Sequence, residues 1–269
     1  MPSDFNKVIA AESFKLRRQK PTFVVLALVV VLVLVMFVVL EFAARRNWMG
    51  VPSGYFVAAS VISWMVNVTI ILAVIITSFL ISQEFALGTV KSTWVRPVTR
   101  GNWFAAKVAT ATISVTELFV MAAVIVITLA ALRLGFTDLM EKGYTIHTSG
   151  SLTGRLLLTT GLTLCAMWAV TFFVAMIAVA FRHPGGAIAA GLGVGVAMMV
   201  LSAIPQIRPM LLITYTTLPM EQMVAMSKGL PLPLEWGQLV WRTLLCSGLW
   251  MVLAFAAGQR IIRRKEIST

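Results

Sequence analysis

Charged groups able to do chemistry crowd into one stretch of the chain, where Glu84, Lys91, Arg96, Arg100 and Lys107 are interleaved with Gly88, Thr89, Trp94 and Pro97. An acid and several bases at these spacings make charge-assisted contacts; they supply neither a nucleophile with its base nor a metal-ligand set. Gly88 can close one helix and Thr89 can cap the next, while Pro97 forces Arg96 out of the helical region. Together they bracket a helix of about two turns with Val90 and Trp94 on one face. A short helix with an apolar ridge among charges is something a partner's groove can grip, so that partner motion becomes motion of the flanking segments. The plain alternative is a turn that simply carries positive charge.

Other chemistry-bearing residues are sparse. Glu117 stands inside an apolar run. Cys165 and Cys246 also fall in apolar runs and read as small buried residues, with no disulfide framework or thiolate metal site. His147 and His183 stand in connecting segments without a second ligand at helical or CxxC-like spacing. With no HExxH and no histidine within an apolar run, a membrane-embedded hydrolase has nothing to build on.

The elements that must position these residues follow from composition. Of 269 residues, 59% are hydrophobic and 12% charged, against roughly 45–50% and 25% in soluble domains. A soluble fold is excluded. Six apolar stretches, 22–40, 55–83, 108–132, 156–181, 185–207 and 243–259, of which only the third holds a charged residue, Glu117, approach or exceed the roughly 20 residues that carry a helix across a bilayer. The expectation is an all-α membrane protein in a single transmembrane domain; the alternating pattern of an outer-membrane barrel is absent. Segment 4–20 is expected as a basic amphipathic helix at the lipid surface, or as a solvated arm that orients the first span. Segment 84–103 links spans two and three. Segment 208–242, with Pro209, Pro219, Pro231 and Pro233 among apolar residues, reads either as short broken re-entrant helices or as a surface loop.

Fourteen of the 22 Lys and Arg residues lie at the N-terminus, after span two, after span four and in the tail. The positive-inside rule therefore makes both termini cytoplasmic. A net charge of +12 distributed in this way is a membrane signature and does not call for nucleic acid.

Glu84, Gly88-Thr89, Lys91, Arg96-Pro97, Arg100 and Lys107 resemble the E-x-x-x-G-T-x-K…R-P-x-x-R…K signature of bacterial type-2 ABC exporter permeases, at the same place after the second span. Six spans, the basic arm and the terminal Arg-Arg-Lys-Glu-Ile run extend the resemblance over the whole chain. It implies a subunit of the bacterial plasma membrane that pairs with a second copy or a sister permease and with two separate ATPase subunits. In that family the segment here numbered Glu84 to Arg100 forms the main coupling helix on the ATPase, and the connection containing Arg182 and His183 forms a smaller contact. ATP and magnesium would belong to the partner, since no GxxxxGK[ST] phosphate loop occurs here.

Gly191 and Gly195 have the spacing that lets membrane helices approach closely. Glu117 lies too deep to snorkel, and Thr110, Ser114, Met121 and Thr128 share its helical face, which is expected to avoid lipid. Asn67 on span two is the expected hydrogen-bonding neighbour. Glu117, Asn67 and Ser114 thus read as a translocation path or, alternatively, as a protonated packing contact. An ion-driven secondary transporter or a membrane scaffold is the competing function, kept open by Glu117; co-purification of an ATPase separates it from the exporter.

Overall fold

The computed structural model describes residues 9–11, 14, 18, 20–46, 53–88, 99–141, 144–231 and 235–265. Along the chain these form α1 (Lys20–Arg45), α2 (Gly54–Ala86), α3 (Arg100–Arg133), a hairpin of β1 (Leu139–Glu141) and β2 (Tyr144–His147), α4 (Ser149–Ala180), α5 (Pro184–Leu201), α6 (Leu212–Ser227) and α7 (Trp236–Arg264). Helices α1 to α5 and α7 are each long and apolar enough to cross a membrane. The interfacial helix expected over 4–20 and the two-turn helix expected around Thr89 to Pro97 lie largely outside the described residues.

Helices α2, α4 and α7 end, and α1, α3 and α5 begin, at one side of the bundle, called here the basic end; β1, β2 and the last turn of α6 mark the hairpin end. Helix α4 is the hub, packing on α2, α3, α5, α6 and α7. Small residues permit this: Ala166, Ala169, Ala175 and Ala178 are fully or nearly fully buried beside Thr159 and Thr171. Both threonine hydroxyls donate to carbonyls one turn back, Thr159 to Arg155 and Thr171 to Met167, each at 2.9 Å. Their polar groups are thereby satisfied without water, as a bilayer requires. Gly191 brings α5 against α2, where a Cβ would lie 2.9 Å from Val74 Cγ1, whereas Gly195 meets no neighbour within 4 Å.

Several helices run past the apolar limits read from the sequence. Helix α3 begins at Arg100 rather than near Val108, because Lys107 is buried and paired. Helix α1 reaches Arg45 and takes Glu41 with it, so Glu117 is not the only acid on a spanning helix. Glu41, only 5% exposed, accepts from Arg45 Nη2 at 2.8 Å and lies 3.4 Å from Arg133 Nε of α3. Helix α5, by contrast, stops at Leu201, short of the expected Ile207. Ser202 Oγ donates to Met199 O at 2.6 Å, and Pro205 disfavours helix at Ile204 and removes a donor.

Segment 208–242 is not a plain surface loop. A 3-10 turn at Arg208–Met210 leads into α6, which packs on α2 and α4 and buries Met220, Met223 and Met226 in the main core. At the hairpin end, Tyr55 donates to Ser149 O at 2.8 Å and stacks on Phe136 with ring centres 4.4 Å apart. Asp138 Oδ1 accepts from Ser149 N at 2.6 Å, which caps α4 and holds the exposed Asp138 carboxyl below its usual range.

Candidate functional site

The basic end is built around Glu84, in the last turn of α2. Leu87 caps the helix through its N–H to Gln83 O, and Gly88 follows at φ +69°, a left-handed conformation that glycine adopts without strain. An acid near a helix C-terminus meets the wrong end of the helix dipole, so Glu84 needs donors from elsewhere. Helix α3 supplies them. Thr99 caps its start by accepting from Asn102 N at 3.2 Å, and Trp103 and Lys107 follow one turn apart on one face. Trp103 Nε1 donates to Glu84 Oε2 at 3.1 Å and Lys107 Nζ to Glu84 Oε1 at 2.5 Å. Glu84 is 8% exposed and Lys107 2%. Phe85 meets the Trp103 ring edge-on with centres 5.6 Å apart.

The C-terminal residues close over this pair. Lys265, just past α7, donates from Nζ to Val179 O at 2.7 Å and to Phe181 O at 3.2 Å, and lies 3.9 Å from the centre of the Phe85 ring. A cation on the last carbonyls of α4 complements that helix's dipole. Desolvation, with a smaller contribution from Arg182, nevertheless lowers the Lys265 pKa to about 8. Arg100 Nη1 donates to Arg263 O and Lys265 O, each at 3.3 Å. Gly258 lets α7 approach α3 closely, since a Cβ there would lie 2.4 Å from Phe104 Cζ. The ends of α2, α3, α4 and α7 are therefore joined by side chains, and the connection 87–99 leaves and re-enters this joint.

Glu84, Gly88 and Arg100 are among the described residues of the expected coupling set; Thr89, Lys91, Trp94, Arg96 and Pro97 lie outside them. Arg182 and His183 are exposed at the same end, between α4 and α5. Trp103 and Lys265 had no assigned role in the sequence reading. The Trp103–Lys107 spacing was the available signal for the first; nothing local points Lys265 toward α4.

The expected polar stripe behaves differently from the sequence reading. Glu117 and Asn67 are both exposed on the outside of the chain and Ser114 is half-buried. Val115, Phe119 and Val126 fill the inward face of α3. Large apolar side chains gain most from the core, so Glu117 and Thr128 turn outward, while Met121 packs, partly buried, against the main core. Among its members, Thr110 is buried and satisfied by Ala106 O at 2.9 Å. Beside the stripe, Thr116 Oγ1 accepts from Trp168 Nε1 at 2.8 Å.

Comparison with curated proteins returns no match. The family described as ABC-2 family transporter protein matches residues 8–194, more than two thirds of the chain. With six apolar helices of spanning length, the protein is a multi-pass membrane transport protein, and the chain belongs to the ABC-2 transporter family.

Proposed function

We propose that the chain is the permease subunit of an ATP-driven exporter, and that segment 84–103 couples it to separate ATPase subunits. The observation that carries this reading is the buried Glu84–Lys107–Trp103 contact. It makes the ends of α2 and α3 one body, so a push on the connection between them reaches both helices together. Gly88, Thr89, Lys91, Trp94, Arg96, Pro97 and Arg100 form the contact with the ATPase, and Arg182 and His183 add a second one at the same end. In this reading the basic end and both termini are cytoplasmic, in the plasma membrane of a bacterium. Two ATPases carry the ATP and magnesium, and a second permease, identical or sister, completes the assembly.

The path lies between permeases rather than inside one. The interior of the chain is filled by Val, Ala and Phe side chains, and Glu117, Asn67 and Ser114 belong to the outer side of α2 and α3. A carboxyl group midway along a spanning helix is costly against hydrocarbon, which favours a wet or protein-covered setting for this face.

In the reconstituted complex, Arg96→Ala is expected to leave insertion and assembly intact and to lower both transport and substrate-stimulated ATP hydrolysis. Wild-type values for both would remove Arg96 from coupling. A periplasm-active reporter is expected to work when fused near Thr148 and to fail near Ser92; the reverse pattern would invert the orientation. Glu117→Gln is expected to impair transport at matched protein levels, and normal transport would leave Glu117 a packing role.

A further inference from the structure

Between α5 and α6 the chain turns back at a depth where lipid would normally surround it. Trp250 lies about 21 Å from either end of α7 by helical rise, and its Nε1 donates to Met210 O at 3.3 Å. Leu212 packs in a cluster with Val74, Ala169 and Val170. Val74 is about 12 Å along α2 from Ser82, whose hydroxyl bonds Ala178 O near the basic end. The two helices agree that the turn at Arg208–Met210 sits near the middle of a hydrocarbon layer about 30 Å thick.

Two features of this turn are incompatible with hydrocarbon. Its backbone is irregular, and residues 203–210 are exposed on the chain's surface. Non-helical backbone at membrane depth persists only where protein covers it or water reaches it. Arg208 is also exposed, and its guanidinium has no hydrogen-bond partner among the described residues. A charged side chain at such depth marks a ligand or ion pathway rather than a lipid contact. The turn is held firmly in place: Tyr215 donates to Pro209 O at 2.8 Å and Thr214 Oγ1 to Arg208 O at 2.9 Å. Beside Arg208 are exposed Ile204, Ile207 and Met210.

We propose that this turn lines a water-filled cavity in the membrane and that Arg208 binds the anionic head of an amphiphilic transported molecule. The guanidinium fork matches a phosphate or carboxylate, and Ile204, Ile207 and Met210 take up the apolar part. This deepens the exporter reading by naming the charge class of its substrate.

The test uses the full chain in phosphatidylcholine nanodiscs, without an ATPase, so that its outcome is separate from that of the coupling reading. Dodecyl phosphate and dodecyltrimethylammonium are the probes, with inorganic phosphate as the tailless control. The wild-type chain is expected to bind dodecyl phosphate about tenfold or more tightly than the cationic probe, as a charge-assisted contact implies. Arg208→Gln is expected to abolish the preference and Arg208→Lys to keep part of it, with gel filtration confirming that both fold. Equal binding of the two amphiphiles by the wild-type chain, an unchanged preference in Arg208→Gln, or full competition by inorganic phosphate alone would overturn the proposal. A cavity check needs no ligand. Arg208→Cys, combined with Cys165→Ala and Cys246→Ser, is expected to react with a membrane-impermeant sulfonated thiol reagent, and protection from it would exclude a wet site.

Discussion

Lys107 and Arg208 are both cations of a spanning bundle, and the fold treats them in opposite ways. Lys107 is 2% exposed, with a carboxylate at 2.5 Å and the Trp103 ring beside it. Arg208 is exposed on a turn that hydrogen bonds hold in place. The contrast separates two uses of charge in a membrane. A buried pair has exchanged water for a fixed partner and specifies where two helix ends sit. An exposed guanidinium nearer the middle of the membrane retains its capacity for a ligand. The Glu41 cluster is intermediate: its carboxylate is 7% exposed while the Arg45 and Arg133 side chains are 57% and 63% exposed, which is the ordinary condition of arginines at a helix end.

The contrast breaks most severely if Lys107 proves dispensable. Lys107→Met removes the ammonium and leaves Glu84 buried, a change expected to cost about 3–5 kcal/mol. The double variant Glu84→Gln/Lys107→Met is expected to recover much of that loss, as measured by unfolding in micelles. A single variant as stable as the wild type would show that the pair does not fix the joint.

Next in size, Gly258→Ala drives a Cβ into the Phe104 ring and is expected to cost about 1–3 kcal/mol by overpacking. The same unfolding assay reads it. Anion binding at Arg208 is expected to survive, because Gly258 belongs to the basic end.

Lys265 gives a smaller, pH-dependent effect. Its pKa is about 8 in the folded chain against a usual 10.5, so between those values the unfolded chain binds more protons and stability rises with pH. Below about pH 8 both states are protonated and this dependence vanishes. In Lys265→Gln the rise between pH 8 and 10.5 is expected to flatten, as followed by the unfolding midpoint at each pH. An unchanged slope would assign the rise to another group.

The smallest effect on stability is expected at Arg208 itself. Arg208→Leu is expected to fall within about 0.5 kcal/mol of the wild type, like other exposed substitutions, while losing its preference for the anionic probe. A loss comparable with that of Lys107→Met would make Arg208 a structural cation and remove the contrast.

Much of this was legible in the chain itself. Apolar runs long enough to span, interrupted by basic connections, specify a six-helix membrane protein because hydropathy is a local sum that tertiary contacts do not alter. Gly88 as a helix terminator and Gly191 as a close-approach site follow from the absence of a Cβ, another local property. Hydropathy fails at charged residues because it assigns each a water-facing position, whereas Lys107 is carried inward by a carboxylate far away in sequence. It placed Arg208 at a membrane edge for the same reason. Its actual depth depends on where α5 stops and where α6 finds a groove between α2 and α4. The outward turn of Glu117 was likewise decided by which face of α3 held Val115, Phe119 and Val126 and by how much apolar area α2 could bury against them. Residue type determined what each segment can tolerate; only the return path of the chain decided which neighbours, and which depth, each charge received.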